Sequence, residues 1–415
     1  MYEDPVVEVG REAPQGVGPV LPTPLRSPSP LRRQVFDYVR AHGRAARADV
    51  ARALGISAAS VTALTADLIA LGLLREVDVP LEREAGRGRP PVALEIVPEG
   101  RQVVGIKLGD ERHTAVLSDF GGRMLAEAAR PAAPGRRPLV ELLDEVEALV
   151  ADLRAASPGR EAMAVGIGLP GLVEHGSGRV AWSPLLRETG AAVAEACAVR
   201  LGRPVGIDND ANLLTLAELW FGAGRALSDF AVVTIENGVG MGLVQGGRLF
   251  RGTRGMGMEL GHLKVELDGA LCRCGQRGCL EAYISDYALA REAATALGRD
   301  PRQSQSPRAM LETLFGEAKA GHEAAREIFA RAGRHLALGL SNLVQLFDPG
   351  LIILSGERMR YDFLYADEVL SEMQRLVLPG ARPPVRVEVH AWGDLVWAQG
   401  AAALALSAAT DAVLA

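Results

Sequence analysis

The sequence predicts a small all-α head followed by a larger α/β body of two lobes. Helical spacing of apolar residues is confined to about 31–75, strand-like apolar runs alternate with helices from about 100 onward, and a Gly/Pro-rich stretch at 86–91 separates the two patterns. With 415 residues, of which 48% are hydrophobic, the chain can bury a core in each part.

Residues 1–30 are rich in Pro and Gly and have no apolar period, so they read as a disordered tail. From Leu31 the pattern turns helical: Leu31, Val35, Tyr38 and Val39 share a face and Gly43 breaks the run. A second helix runs from about Arg47 to Leu54 and stops at Gly55, and Ser57 caps a third in which Val61, Leu64 and Leu68 align. This is helix-turn-helix spacing, and Gly86-Arg87-Gly88-Arg89-Pro90-Pro91 fits a wing, so 31–95 reads as a winged helix-turn-helix domain. In such a domain the start of the third helix meets base edges. Ser57, Ser60, Thr62 and Thr65, among the small residues Ala58, Ala59 and Ala63, then give methyl contacts and single hydrogen bonds. Phosphate contacts fall to Arg44, Arg47, Arg87 and Arg89. Residues 31–75 hold seven arginines against three aspartates, whereas the whole chain carries a net charge of −6, so a polyanionic partner such as operator DNA meets the head. The alternative for this segment is a helical hairpin that docks protein, followed by a plain linker.

The body, 100–415, reads as two lobes, about 100–210 plus the C-terminal helix and 211–395. Val103 to Leu108 and Ala115 to Ser118 form a hairpin, Leu139 to Leu153 a helix, Ala164 to Gly168 a buried strand, and Val205 to Ile207 another. A helix begins near Ala211, a second strand and hairpin set spans Phe230 to Leu249, and helices around 323–347 precede the strand Leu351 to Leu354 and a closing helix. No apolar run reaches bilayer length and the N-terminus has no secretory pattern, so the expectation is a cytoplasmic chain with no membrane partner.

Three of the four cysteines fall within eight residues, and Cys197 stands apart. His262, Cys272, Cys274 and Cys279 offer three thiolates and an imidazole, a closed tetrahedral set suited to structural Zn2+. Asp208, Asn209 and Asp210 after a strand, with Glu259 and Glu281 flanking the cysteine cluster, suit sugar hydroxyls, which both donate and accept.

Gly-Leu-Pro-Gly at 168–171, Asp-Asn-Asp-Ala-Asn at 208–212, Glu-Leu-Gly-His at 259–262 and Cys-x-Cys-Gly-x-x-Gly-Cys-Leu-Glu at 272–281 together resemble the ROK family of repressors and sugar kinases. The resemblance spans about 31–405 and includes the helix-turn-helix of the xylose and N-acetylglucosamine repressor branch. It implies an actin/hexokinase-like (ribonuclease H-like) body, sugar contacts from Asn209, Asp210, Glu259, His262 and Glu281, and zinc on His262, Cys272, Cys274 and Cys279. It further implies a sugar or sugar-phosphate effector and a homodimer or homotetramer on DNA. In the kinases Asp210 would match the general base, so an active ATP-dependent sugar kinase is the rival reading. Against it, the kinases' Asp-x-Gly-Gly-Thr phosphate cradle is replaced by Lys107-Leu108-Gly109-Asp110-Glu111, the second phosphate region carries Glu236, and the adenosine-side glycines shrink to Ser355-Gly356-Glu357. A regulator without kinase activity is therefore expected. Met258 stands where the kinases have a small residue, and the third helix has Ala58 and Ala63 where such repressors commonly carry arginine.

Overall fold

The computed structural model describes residues 15–20, 30–78, 92–298, 306–356, 367–380 and 383–415. The head begins with α1 (Leu31–His42), which buries Val35, Phe36 and Val39 and ends at Gly43. After β1 (Arg44–Ala46), α2 (Arg47–Leu54) closes on Gly55, whose φ of 63° suits a residue without a side chain. The turn leads to α3 (Ala58–Ala70), whose cap, the Ser57 hydroxyl, accepts the Ser60 N–H at 3.0 Å. Then β2 (Leu74–Asp78) pairs antiparallel with β3 (Val92–Ile96), and β1 adds to the other side of β3. The all-α expectation for the head is thus corrected: it holds a three-stranded sheet as well as its helices. β1 is only three residues long, too short to show a period of two. The wing residues Arg87 and Arg89 lie outside the described residues; the strands on either side of them are partners.

The disordered-tail expectation for 1–30 is corrected over 15–20. Val17 donates its N–H to the Arg40 carbonyl at 3.0 Å and Gly18 to the Trp220 carbonyl at 2.9 Å, so this strap lies between head and body. Backbone pairing, which leaves no apolar period in sequence, holds it there.

The body's two sheets follow one plan. In the first, β4 (Gln102–Lys107), β5 (Arg112–Asp119) and β6 (Met124–Pro131) form an antiparallel meander. After α4 (Leu139–Ala156), β7 (Ala162–Leu169) joins β4 in parallel. A small hairpin, β8 (Leu172–Glu174) and β9 (Arg179–Trp182), and α5 (Val193–Leu201) precede β10 (Val205–Asn209), parallel to β7. The chain then crosses through α6 (Asp210–Phe221). In the second sheet β11 (Phe230–Ile235), β12 (Val239–Gln245) and β13 (Arg248–Phe250) repeat the meander. Four helices follow, α7 (Glu281–Ile284), α8 (Asp286–Ala296), α9 (Pro307–Ala320) and α10 (Glu323–Phe347). Then β14 (Leu351–Ser355) joins β11 in parallel, and after α11 (Asp367–Leu376), β15 (Arg386–His390) joins β14.

The last helix, α12 (Val396–Leu414), lies on the first sheet and against α6. Its backbone comes so close that a Cβ on Gly105 would stand 2.0 Å from the Ala398 carbonyl, and one on Gly166 at 2.0 Å from that of Ala401. A side chain at either position would push the helix off the sheet, and the alanine-rich sequence of α12 permits the approach. Among the described residues no single helix is long and apolar enough to cross a membrane.

Candidate functional site

The junction of β10 and α6 places three polar residues at a cleft between the sheets. Asp208 is fully buried, accepts the Asn212 amide at 2.8 Å and pairs with Arg251 Nε at 2.7 Å. Asn209 caps α6: its Oδ1 accepts the Ala211 N–H at 2.8 Å while its amide donates to the Gly171 carbonyl at 2.9 Å. Asp210, the first residue of α6, is met by Lys107 Nζ at 3.1 Å. Lys107 and Arg251 were not among the sequence-predicted site residues. They reach their acids from 103 and 43 residues away, so no local spacing announces them.

From the second lobe, Glu259 and Glu281 complete an acidic set. Burial, then the charges of Asp210 and Glu281, push Glu259 up to about 7. Glu281 is almost buried and receives the Val239 N–H at 3.2 Å and the Tyr287 hydroxyl at 3.4 Å. Just before Glu259, Met258 has φ 70°, a left-handed conformation that a side chain resists. The small residue expected there from the kinases would adopt it with less strain.

His262, Cys272, Cys274 and Cys279 form a cluster able to hold a metal ion, their ligand atoms all within 4.8 Å of one another. Cys274 and Cys279 sulfurs are 3.7 Å apart, as are Cys272 Sγ and His262 Nδ1. A tetrahedral ion with metal–sulfur bonds of about 2.3 Å sets its ligands about 3.7 Å apart, so the residues fit the group. Lys264 Nζ lies 2.8 Å from Cys279 Sγ. The other ring nitrogen of His262, Nε2, is 4.0 Å from Glu259, so one imidazole touches both the cluster and the acidic pocket. Cys197 is different: burial on α5 pushes its thiol up to about 12, and it belongs to the core.

The two turns that would flank a nucleotide's phosphates are turned on themselves. Gly109 N–H donates to His113 Nδ1 at 3.1 Å, and burial keeps that histidine's pKa below the ordinary value. Across the cleft, Asn237 Nδ2 donates to Asp110 Oδ2 at 2.9 Å. The backbone amide of Gly109 is thus already engaged.

On the head, Ser57, Ser60 and Thr62 are exposed along the start of α3. Thr65 is fully buried, and its expected contact with a base edge is corrected: it accepts Arg47 Nε at 3.0 Å from inside the domain. Arg44 pairs with Glu95 at 2.9 Å and Arg47 with Glu76 at 2.7 Å. Partly exposed pairs of this kind hold less than about 1 kcal/mol, so a phosphate can draw either guanidinium away.

Head and body meet through a buried cation. Arg40 stacks on the Trp220 ring, 4.4 Å from its centroid, and bonds Asp37 at 2.6 Å and Thr410 at 3.1 Å. Trp220 belongs to α6, the helix whose first residue is Asp210.

Comparison with known proteins follows the same lines. Residues 103–408 match the ROK family. The DNA-binding transcriptional dual regulator NagC of Escherichia coli K12 is 29% identical over 362 residues, 86% of this chain and 88% of that protein. The xylose repressor of Caldicellulosiruptor bescii is 26% identical over 373 residues, 87% of this chain and 91% of its own length. Among solved structures, a ROK family transcriptional regulator, a homologue of the E. coli MLC protein, superposes with a TM-score of 0.77 at 26% identity, covering 92% of this chain and 96% of its own. A ROK glucokinase from Streptomyces griseus, solved with glucose and AMPPNP, gives 0.62 at 30% identity and covers 73% of this chain although 99% of the enzyme is matched. The kinase likeness therefore leaves about a quarter of the chain without a counterpart, whereas the regulator likeness extends over nearly all of it. With the cleft, the metal cluster and a match over most of its length in agreement, the chain belongs to the ROK family.

Proposed function

We propose that this protein is a sugar-responsive transcriptional repressor: the head binds operator DNA, and a sugar in the cleft changes that binding. One observation carries the reading. The carboxylates of the cleft and the seat of the helix-turn-helix sit at opposite ends of α6, Asp210 at its start and Trp220 near its end. Sugar hydroxyls would be taken by Asn209, Asp210, Glu259, His262 Nε2 and Glu281, with the loop 262–281 held by Zn2+ on His262, Cys272, Cys274 and Cys279. Closing the lobes on a sugar would move α6 against the head.

A single α3 reads half a site, so the working form on DNA is a homodimer, or a homotetramer built from dimers, acting in the cytoplasm where the DNA is. Ser57, Ser60 and Thr62 meet bases; Arg44, Arg47, Arg87 and Arg89 meet phosphates. Asp210 does not serve as a kinase base, because Lys107 neutralises it and the loops beside it carry acids rather than a phosphate cradle.

Selection of bound duplexes from a random library by the full-length protein tests the reading. It should enrich a two-fold symmetric site whose binding weakens steeply with salt, and Arg44→Ala should flatten that salt slope by about one. Failure to enrich any duplex, combined with ATP turnover on a sugar that Asp210→Asn abolishes, would establish the kinase instead.

A further inference from the structure

The charges around the cleft bear on a point the functional reading leaves open, namely whether the effector carries a phosphate. Resting on that reading, we infer that the effector is an unphosphorylated sugar, because the pocket's lysine and arginine are already bound to its carboxylates and the turns beside Asp210 add further acids.

Among the described residues, Lys107 and Arg251 are the cations bonded to the carboxylates of the β10–α6 junction, so the charge that each brings is already balanced. Lys107 Nζ sits on Asp210 at 3.1 Å and over the Trp397 ring at 5.1 Å, with 13% of its side chain exposed. Arg251 Nε is held at 2.7 Å by an Asp208 that has no exposure at all, so releasing it would leave a buried carboxylate without its arginine. Glu281 remains as a carboxylate beyond that balance, whereas Glu259, pushed up to about 7, is only partly ionised at neutral pH. Glu281 is stabilised by neutral donors, the Val239 N–H and the Tyr287 hydroxyl, rather than by a cation. A zinc ion in the neighbouring cluster does not reverse the sign, since three thiolates outweigh one divalent charge.

The position next to Asp210 is no more favourable. The turn that follows β4 begins one residue beyond Lys107, whose ammonium lies on Asp210, and it contributes Asp110 and Glu111. Its Gly109 amide, the kind of donor that holds a phosphate oxygen, is taken by His113 Nδ1. The facing turn closes on it through Asn237 and Asp110. A phosphate monoester, close to a dianion at neutral pH, would meet like charge from Asp110 and Glu111. An uncharged sugar meets instead acceptors that its hydroxyls can donate to. One unbalanced carboxylate within about 8 Å of a phosphate dianion, at an effective dielectric of about 20, is enough for discrimination of more than about tenfold.

The test is calorimetric titration of the full-length, zinc-loaded protein with matched pairs: glucose and glucose 6-phosphate, N-acetylglucosamine and its 6-phosphate, mannose and its 6-phosphate. In every pair that binds, the plain sugar should bind at least about tenfold tighter, and the gap should narrow as salt rises. Glu281→Gln should narrow it too by removing the surplus carboxylate. Tighter binding of the phosphorylated member, lost in Arg251→Met or Lys107→Met, would overturn the inference while leaving sugar sensing intact. Silence from both members of all pairs would instead overturn the sugar-sensing reading and take this inference with it.

Discussion

Glu218, in the last turn of α6 and with no exposure, shows how much a single residue can hold in this fold. One of its oxygens receives His390 Nδ1 at 2.7 Å and Trp392 Nε1 at 2.6 Å, and the other receives the Ala223 N–H at 3.2 Å. Burial works against a charged imidazole at His390, but hydrogen bonds and charge from Glu218 and then Glu388 outweigh it and raise its pKa above 6.5. A histidine whose folded pKa is raised gives stability that is complete below its unfolded pKa and disappears as pH climbs through the folded value. His390→Gln should therefore lower the melting temperature more at pH 6 than at pH 9, in thermal denaturation followed by circular dichroism. An equal loss at both pH values would mean that the imidazole is neutral and merely packed. Thr65 teaches the complementary lesson about reading a sequence. Val61, Thr65 and Leu68 follow the i, i+4, i+7 spacing of one helix face and all three are buried, but the hydroxyl makes the middle one look like a surface residue.

Among the elements, the segment from Glu259 to Glu281 carries the cluster able to hold a metal ion and two of the carboxylates beside it. Between Glu259 and Glu281 the chain has one short turn at Leu260–His262 and otherwise isolated bridges, Lys264 with Cys279 and Leu271 with Arg277. So little regular structure cannot by itself fix two carboxylates, and an ion joining His262 to the three thiolates would. Native mass spectrometry should find one zinc per chain. Chelation should lower the melting temperature and abolish any sugar-induced shift, whereas Cys197→Ser should leave both metal content and sugar response unchanged. This loop was legible because Cys-x-Cys with a third cysteine soon after is a rare and chemically specific pattern. The helices of the head were legible too, punctuated by Gly43, Gly55 and the Ser57 cap. β1 and the strap at 15–20 were not, because both are fixed by backbone bonds to distant partners. Lys107 and Arg251 were hidden for the same reason, since the fold alone brings them to their acids.

The whole molecule is arranged so that one helix serves two purposes. α6 starts at the cleft with Asp210 and ends beneath the head, where Trp220 lies under Arg40 and the strap's Gly18 bonds the Trp220 carbonyl. α12 reinforces that seat through Thr410 and Asp411, which hold Arg40 and Arg33. A buried Trp replaced by Ala costs about 3–5 kcal/mol in a packed core. Trp220→Ala should therefore destabilise the protein by an amount of that order, measured by denaturant titration. It should also weaken the influence of sugar on DNA affinity without changing which sequence is bound. A variant that loses stability but keeps the full sugar response would show that the signal travels by another route.

If sugar in the cleft governs the hold of the head on DNA, a single titration reveals it. The full-length protein is bound to a fluorescent duplex carrying its selected site, and a plain sugar that stabilises the protein is added at fixed salt while anisotropy is followed. Affinity for the duplex should fall by at least about tenfold, which corresponds to a coupling of about 1.4 kcal/mol, and Asp210→Ala should remove the effect. A sugar that binds tightly and leaves the DNA affinity where it was would contradict the account.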